Sequence, residues 1–352
     1  MKAMLLRATA PLAQNPTPLT LEDLPEPRID AGEVLIRVTV CGVCHTELDE
    51  IEGRMKPRLP VVLGHQVVGT VEAIGLPKGV QKQASGSPAV GLHTGQRVGV
   101  AWIASACGKC RHCLSGNENL CAGFKATGRD IDGGYAETMK VRADFVHPIP
   151  ASLTDGEAAP LLCAGAIGYR SLRLANIQDG QSLGLTGFGG SNHLVLKIAK
   201  HIYPDTRVFV FSRNTQEREF ALSLGAAWAG TIDQGPPEAL DAVIDTTPVW
   251  GPVMNALTYL SPGGRVVINA IRKEETDKEV LLGLDYPSQL WMEKEIKSVA
   301  NVTRQDVREF LKLAAEADIR PEFQEFELKD ANRALLEMKQ GKIRGSKVLH
   351  IA

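Results

Sequence analysis

The chain has 352 residues, 44% hydrophobic and 23% charged, which is ample core for about two domains. A formal charge of -2 argues against nucleic acid or an anionic membrane as the main partner. No apolar run approaches the roughly 20 residues that span a bilayer. The opening Met1-Lys-Ala-Met-Leu-Leu-Arg7 is too short and too soon recharged for a signal peptide. Seven cysteines, an odd number in metal-like spacing, fit a reducing compartment, so a cytoplasmic protein is expected.

The first third reads as short strands. Val34 to Val40 is rich in β-branched residues, and Val61 to Ile74 holds apolar segments broken by Gly64 and Gly69. Residues 76–96 are polar and small and read as a surface loop. After about residue 165 strand and helix alternate. Gln181–Thr186 predicts a strand, and Leu194, Ile198 and Ile202 recur at helical spacing. Arg207–Arg213 predicts a strand, Thr215–Leu224 a helix, and Ala242–Thr246 and Arg265–Ala270 two more strands. Such alternation predicts a parallel sheet covered on both faces. Beyond residue 304, Val307, Phe310, Leu311 and Ala314 mark one helix. Ala331, Ala334, Leu335 and Met338 mark another, with Asp330 placed to cap it and Gly341 to end it.

Cys107, Cys110, Cys113 and Cys121 fall at C-x2-C-x2-C-x7-C in a polar, glycine-containing stretch. Four thiolates close a tetrahedron around one zinc with no open position, and such a lobe has little apolar content to fold without metal. Two disulfides or four core cysteines are the alternatives. Three more ligand types are dispersed: Cys44 in Cys44-His45-Thr46-Glu47, His65 after Gly64, and Cys163 in Leu162-Cys163-Ala164. Each alone reads as an ordinary core residue.

The turn Gly187-Phe188-Gly189-Gly190-Ser191-Asn192 follows a strand and opens a helix, so its backbone can approach a pyrophosphate at the helix N-terminus. Asn192 stands where the usual pattern has its third glycine. The second strand ends in Ser212 and Arg213 with no acid there, which suits a 2′-phosphate and leans toward NADP over NAD. Arg213 could alternatively stack on adenine or face solvent.

Together these segments resemble the zinc-dependent alcohol dehydrogenases of the medium-chain dehydrogenase/reductase family, nearly end to end. The resemblance implies an α/β chain. A β-rich, GroES-like catalytic domain would come from residues 1–163 and 304–352 with a zinc lobe over 105–122, and a doubly wound Rossmann domain would occupy 164–303, with the active site in the cleft between them. It implies a catalytic zinc on Cys44, His65 and Cys163, hence two zinc ions per chain with the structural one. It further implies that Thr46 relays the alcohol proton, that His45 contacts the pyrophosphate, that Glu47 orients the zinc-bound imidazole, and that Cys41 is no ligand. The activity implied is hydride transfer between an alcohol, primary or secondary, or its aldehyde and NAD(P), in a homotetramer or dimer.

Several residues depart from the family pattern. Gln66 replaces the usual Glu after the zinc-binding His, which predicts slower ligand exchange. Asp49 stands where many members carry a relay His, and Ile167 replaces a Thr near nicotinamide. Ser346 replaces an Arg on the pyrophosphate, with Arg344 or Lys347 as substitutes. Trp102 matches a position that narrows the pocket, whereas Ile51, sometimes Trp, makes it roomier or is plain core. Small or medium aliphatic and aromatic primary alcohols are the expected substrates. The rivals are an aldehyde reductase or polyol dehydrogenase of the same fold and a non-catalytic zinc-binding homologue.

Overall fold

The structure is a computed structural model and describes residues 1–75, 91–341 and 345–351. Most of the expected loop over 76–96, and Arg344, lie outside the described residues. The chain divides into two compact units. One comprises Met1–Cys163, Val302–Ala315 and Arg320–Ala352; the other comprises Ala164–Asn301 with Glu316–Ile319. The return to the first unit begins at Val302, and the short Glu316–Ile319 piece belongs with the second.

The first unit opens with β1 (Lys2–Leu6), β2 (Leu19–Asp23), β3 (Glu33–Val43), α1 (His45–Ile51), β4 (Val61–Val62) and β5 (Val67–Ile74). It continues through β6 (Arg97–Val100), β7 (Ile103–Ser105), α2 (Arg111–Leu114), β8 (Lys125–Ala126), β9 (Thr138–Arg142), β10 (Val146–Pro148) and α3 (Asp155–Pro160). The second unit holds α4 (Ala166–Ala175), β11 (Ser182–Thr186), α5 (Asn192–Ile202), β12 (Arg207–Phe211), α6 (Thr215–Ser223) and β13 (Trp228–Gly230). Next come β14 (Leu240–Asp245), α7 (Gly251–Tyr259), β15 (Leu260–Ile268), α8 (Tyr286–Gln289) and β16 (Glu295–Ser298). The chain then returns through α9 (Arg304–Glu316), β17 (Phe323–Glu327), α10 (Ala331–Lys339) and β18 (Ser346–His350).

In the first unit the sheet runs β10-β6-β5-β3-β18-β17, with β9 also on β3, and β1 joins β2 and β4 in a small sheet. β3 is its hub. Val34, Ile36 and Val38 are wholly buried, each such side chain contributing at most about 1.5–3 kcal/mol of burial free energy. Gly69 permits the tight β3–β5 pairing, because a Cβ there would lie 2.2 Å from the Arg37 carbonyl oxygen.

The second unit is a six-stranded sheet in the order β13-β12-β11-β14-β15-β16, parallel throughout. That order reverses beside β11, the point at which open α/β sheets bind ligands. Phe209, Phe211, Val243, Val253, Leu257 and Val266 pack its core. The edge strand β16 is exposed along its whole length, and its charged sequence Glu-Ile-Lys-Ser gives no strand signal.

α10 departs from expectation at its start: Asp330 occupies the cap position but its side chain makes no capping bond. Gly341, at φ +71°, closes that helix as expected. No helix among the described residues is long and apolar enough to cross a membrane.

Candidate active site

Cys44, His65 and Cys163 arrive from three segments. Cys44 caps α1 in extended conformation, His65 lies between β4 and β5, and Cys163 sits in a π-helical turn, Leu161–Gly165, directly after α3. π-turns recur at functional sites because they rotate one side chain off the helical register. Cys44 Sγ lies 3.9 Å from Cys163 Sγ, and His65 Nε2 lies 3.3 Å from Cys163 Sγ. A zinc tetrahedron with bonds of about 2.0–2.3 Å requires donor separations of about 3.5–3.8 Å. The trio fits.

One carboxylate organises two of the three donors. Glu47 Oε2 accepts the backbone N–H of Cys44 at 2.8 Å, and Oε1 lies 2.6 Å from His65 Nδ1. Glu47 thereby faces Nδ1, which leaves Nε2 as the ring nitrogen on the side of the sulfurs. Glu47 and His65 are essentially inaccessible to solvent. Burial raises the Glu47 carboxyl, opposed by the imidazole it faces. Burial alone would lower His65, but Glu47 and Cys44 raise it well above its ordinary value. The contact with Cys163 pulls Cys44 well below the usual thiol range against the effect of burial, and the same contact together with burial pushes Cys163 up. A divalent cation would displace protons from these thiols.

Thr46 is half-buried, its Oγ1 3.6 Å from Cys44 Sγ, whereas His45 is exposed. Gln66 is buried and packs on Gly42, where a Cβ would come within 2.5 Å of its Oε1. Asp49 is buried and pairs with Arg54 at 2.6 Å. Trp102 packs on Phe124 at 5.3 Å, with the Arg129 guanidinium 5.0 Å over its ring. Ile51 is wholly buried, as is Cys41, whose sulfur packs against Gly64 and Gly134. A cavity of about 490 Å³ opens elsewhere in this unit, lined by residues such as Arg58, Lys125, Lys140 and Met139. None of the three donors touches it.

In the cysteine lobe Cys113 Sγ lies 3.9 Å from Cys107 Sγ and 3.6 Å from Cys110 Sγ, again tetrahedral edges. Cys121 Sγ accepts the N–H groups of Cys107 and Gly123 at 3.4 and 3.3 Å. Backbone N–H groups of Lys109 and Cys110 bring Cys107 down to about 6, whereas burial and the neighbouring sulfurs push Cys113 up to about 12. All four are free thiols rather than disulfides. The lobe is tied down by Glu118, whose Oε1 accepts both the N–H and Nε of Arg304 at 3.0 Å.

In the second unit Gly187 takes φ +73°, and Gly189 and Gly190 each have open space where a Cβ would stand. That is room for a ligand at the start of α5. Phe188 and Asn192 are buried. Ser191 Oγ donates to the Ala164 carbonyl at 3.0 Å. Ser212, also buried, donates its hydroxyl to Glu217 at 2.6 Å, while Arg213 is exposed. Arg218 donates to the carbonyls of Ser212 and Arg213 at 2.9 and 3.0 Å. Glu217 was not anticipated, because it reaches the strand end from the first turn of α6 and not from the strand. Lys347, considered for the pyrophosphate, is wholly buried on Glu337 and Gln324 at 2.8 and 3.0 Å, so it does not serve there.

A family model, the alcohol dehydrogenase GroES-like domain, matches residues 30–151. The probable alcohol dehydrogenase AdhA of Mycobacterium tuberculosis is 39% identical over 353 residues, covering 100% of this chain and 97% of that protein. The acetophenone reductase of Geotrichum candidum in complex with NAD superposes with TM-score 0.81 at 26% identity, over 99% of this chain and 96% of the other. The cobalt- and zinc-bound thermostable alcohol dehydrogenase of Pyrobaculum aerophilum also gives TM-score 0.81, at 25% identity over 99% of each chain. The paired donor sets, the switch-point turn and these full-length relatives lead to one conclusion: the chain belongs to the zinc-type medium-chain alcohol dehydrogenases, oxidoreductases that act on alcohols with a nicotinamide dinucleotide.

Proposed function

We propose that this enzyme holds a catalytic zinc on Cys44, His65 and Cys163 and a structural zinc on Cys107, Cys110, Cys113 and Cys121. The substrates proposed are small or medium aliphatic and aromatic primary alcohols, oxidised reversibly to aldehydes. The observation that carries the reading is the Glu47 carboxylate, which fixes both the Cys44 backbone and the His65 tautomer. When bound, zinc supplies a Lewis acid that lowers the alcohol pKa, and the dinucleotide accepts hydride. The chain's own part is to orient and to move a proton. Cys44 and Cys163 supply thiolate charge, Glu47 keeps the Nδ1 proton on His65, and Thr46 Oγ1 takes the alcohol proton and passes it outward. Asp49, engaged by Arg54, is a poor onward acceptor, which leaves water for that last step. Trp102 is proposed as a pocket wall, while Ile51, being enclosed, shapes it only from behind.

The turn from Gly187 to Asn192 is proposed to take the pyrophosphate, with His45 a further contact. NADP preference rests on Arg213 and on the missing acid at the end of β12; Glu217 beside Ser212 opposes it. A homotetramer, or at least a dimer, is proposed through β16. Its outer edge is unpaired in the described sheet, and Leu282, Tyr286, Trp291, Met292 and Ile296 are exposed around it, a surface that a second copy would cover by continuing the sheet.

The test is metal analysis together with initial rates on a panel of alcohols with NAD and NADP. Two zinc ions per chain and turnover on primary alcohols support the reading. One zinc without turnover would leave a binding protein. NADP preference that rises in Glu217→Gln and falls in Arg213→Ala supports the cofactor assignment. Unchanged ratios remove it.

A further inference from the structure

Asn192 stands where the glycine-rich pattern clears space, yet it fills that space. It is wholly buried at the first turn of α5. Its Nδ2 donates to the Thr186 carbonyl at 3.0 Å and to the Gly187 carbonyl at 2.8 Å, and lies 3.2 Å from Thr246 Oγ1. Three oxygens around one atom dictate that the amide nitrogen, not the oxygen, faces them. Thr246, in the loop after β14, donates its own hydroxyl to the Thr186 carbonyl at 3.0 Å, which leaves its lone pair for Asn192. A Cβ on Gly187 would lie 2.9 Å from that same Thr246 Oγ1. Asn192 therefore ties the helix start, the glycine turn and the β14 loop together at the switch point of the sheet. Its Oδ1 is left buried with no partner among the described residues, a cost that a glycine would avoid.

We infer that Asn192 is a positioning residue for dinucleotide binding: it preorganises the flexible Gly187–Gly190 turn by clamping it to Thr246. The inference rests on the proposal that this turn takes the pyrophosphate. Glycines lose the most conformational freedom on ordering, so a tether that orders them before binding lowers the ordering cost at binding.

The experiment compares zinc-loaded wild type with N192G, N192D, T246V and G189V. The readouts are Kd from fluorescence of the reduced dinucleotide, KM and kcat, and melting temperature without cofactor. N192G restores the common glycine, yet it should raise Kd and KM about tenfold, in keeping with the loss of a buried hydrogen-bond network, with kcat at saturation the lesser change. N192D, nearly isosteric but setting oxygen against oxygens, should weaken binding further. T246V should give a smaller rise that adds little to N192G. Wild-type Kd in N192G, with binding weakened in G189V, would overturn the role of Asn192 while leaving the pyrophosphate site intact. Unchanged Kd in G189V would remove the pyrophosphate site and the inference with it. If N192G does not load zinc, T246V decides, and an unchanged Kd there overturns the clamp.

Discussion

The two donor sets are built on opposite plans. The lobe collects Cys107, Cys110, Cys113 and Cys121 from one short stretch, and Cys107 remains exposed. The trio of Cys44, His65 and Cys163 comes from segments up to 119 residues apart and is braced by the buried Glu47. A local set needs only a loop and a metal, and contributes stability. A dispersed set depends on a completed fold, so three donors can be held while a fourth position stays free for substrate.

The sharpest way to break this comparison is to exchange a sulfur at each site. Cys163→Ser should bring turnover down to background with little change in melting temperature. Cys110→Ser should lower the melting temperature strongly while folded protein keeps turning over. Matching profiles in activity and calorimetry would end the division of labour.

Next in size is the brace. Glu47→Gln cannot hold the His65 proton in the same way, and loss of such partners costs about 10–100-fold in metal affinity or activity. Stopped-flow turnover and competitive chelation would read it. An unchanged rate would mean that the fold alone orients His65.

The third prediction concerns acid. His147 in β10 is buried, and burial followed by the charges of Arg308 and Arg304 lowers its pKa from 6.5 to about 3. The unfolded chain therefore takes up this proton first. Its contribution is intact above about pH 6.5, declines as pH falls, and is fully lost near pH 3, amounting to about 2 kcal/mol by pH 5. His147→Phe should flatten denaturant midpoints between pH 7 and 5. A parallel decline in variant and wild type would assign acid loss elsewhere.

The smallest effect is expected at the lobe's tether. Glu118→Gln weakens the bonds to Arg304 and should cost about 1 kcal/mol. Burial raises the Glu118 carboxyl, but the backbone and Arg304 bonds bring it below its ordinary value. Its contribution is therefore present above the unfolded carboxylate range and lost as pH falls through the folded pKa. Urea midpoints at neutral pH should fall with kcat retained. A fall in kcat as well would show that the lobe reaches the active site.

Legibility differed by element for physical reasons. β3, β12 and α5 stood out because β-branched runs and helical apolar spacing are local signals. β16 was missed because its exposed charged residues carry no such pattern. Thr246 escaped notice because it reaches Asn192 from an element distant in sequence, and Glu217 because it reaches the strand end from the next helix, a contact that no residue pattern marks. Lys347, considered as a substitute for the family's pyrophosphate Arg at Ser346, lies buried on Glu337. Its β-strand direction, not its charge, decides which partner it meets.

By itself the sequence determined the four-cysteine lobe and the alternating nucleotide unit, since each follows from residue type and spacing along the chain, whereas the dispersed ligands follow only from the family resemblance. Only the tertiary structure decided that Glu47 serves Cys44 and His65 at once, that Asp49 is taken by Arg54, and that Asn192 clamps the glycine turn to Thr246. The contacts of Glu47 with His65 and of Asn192 with Thr246 join segments apart in the chain, while those of Glu47 with Cys44 and of Asp49 with Arg54 are local. In each case the hydrogen-bond geometry exists only once the fold has brought the partners within about 3 Å.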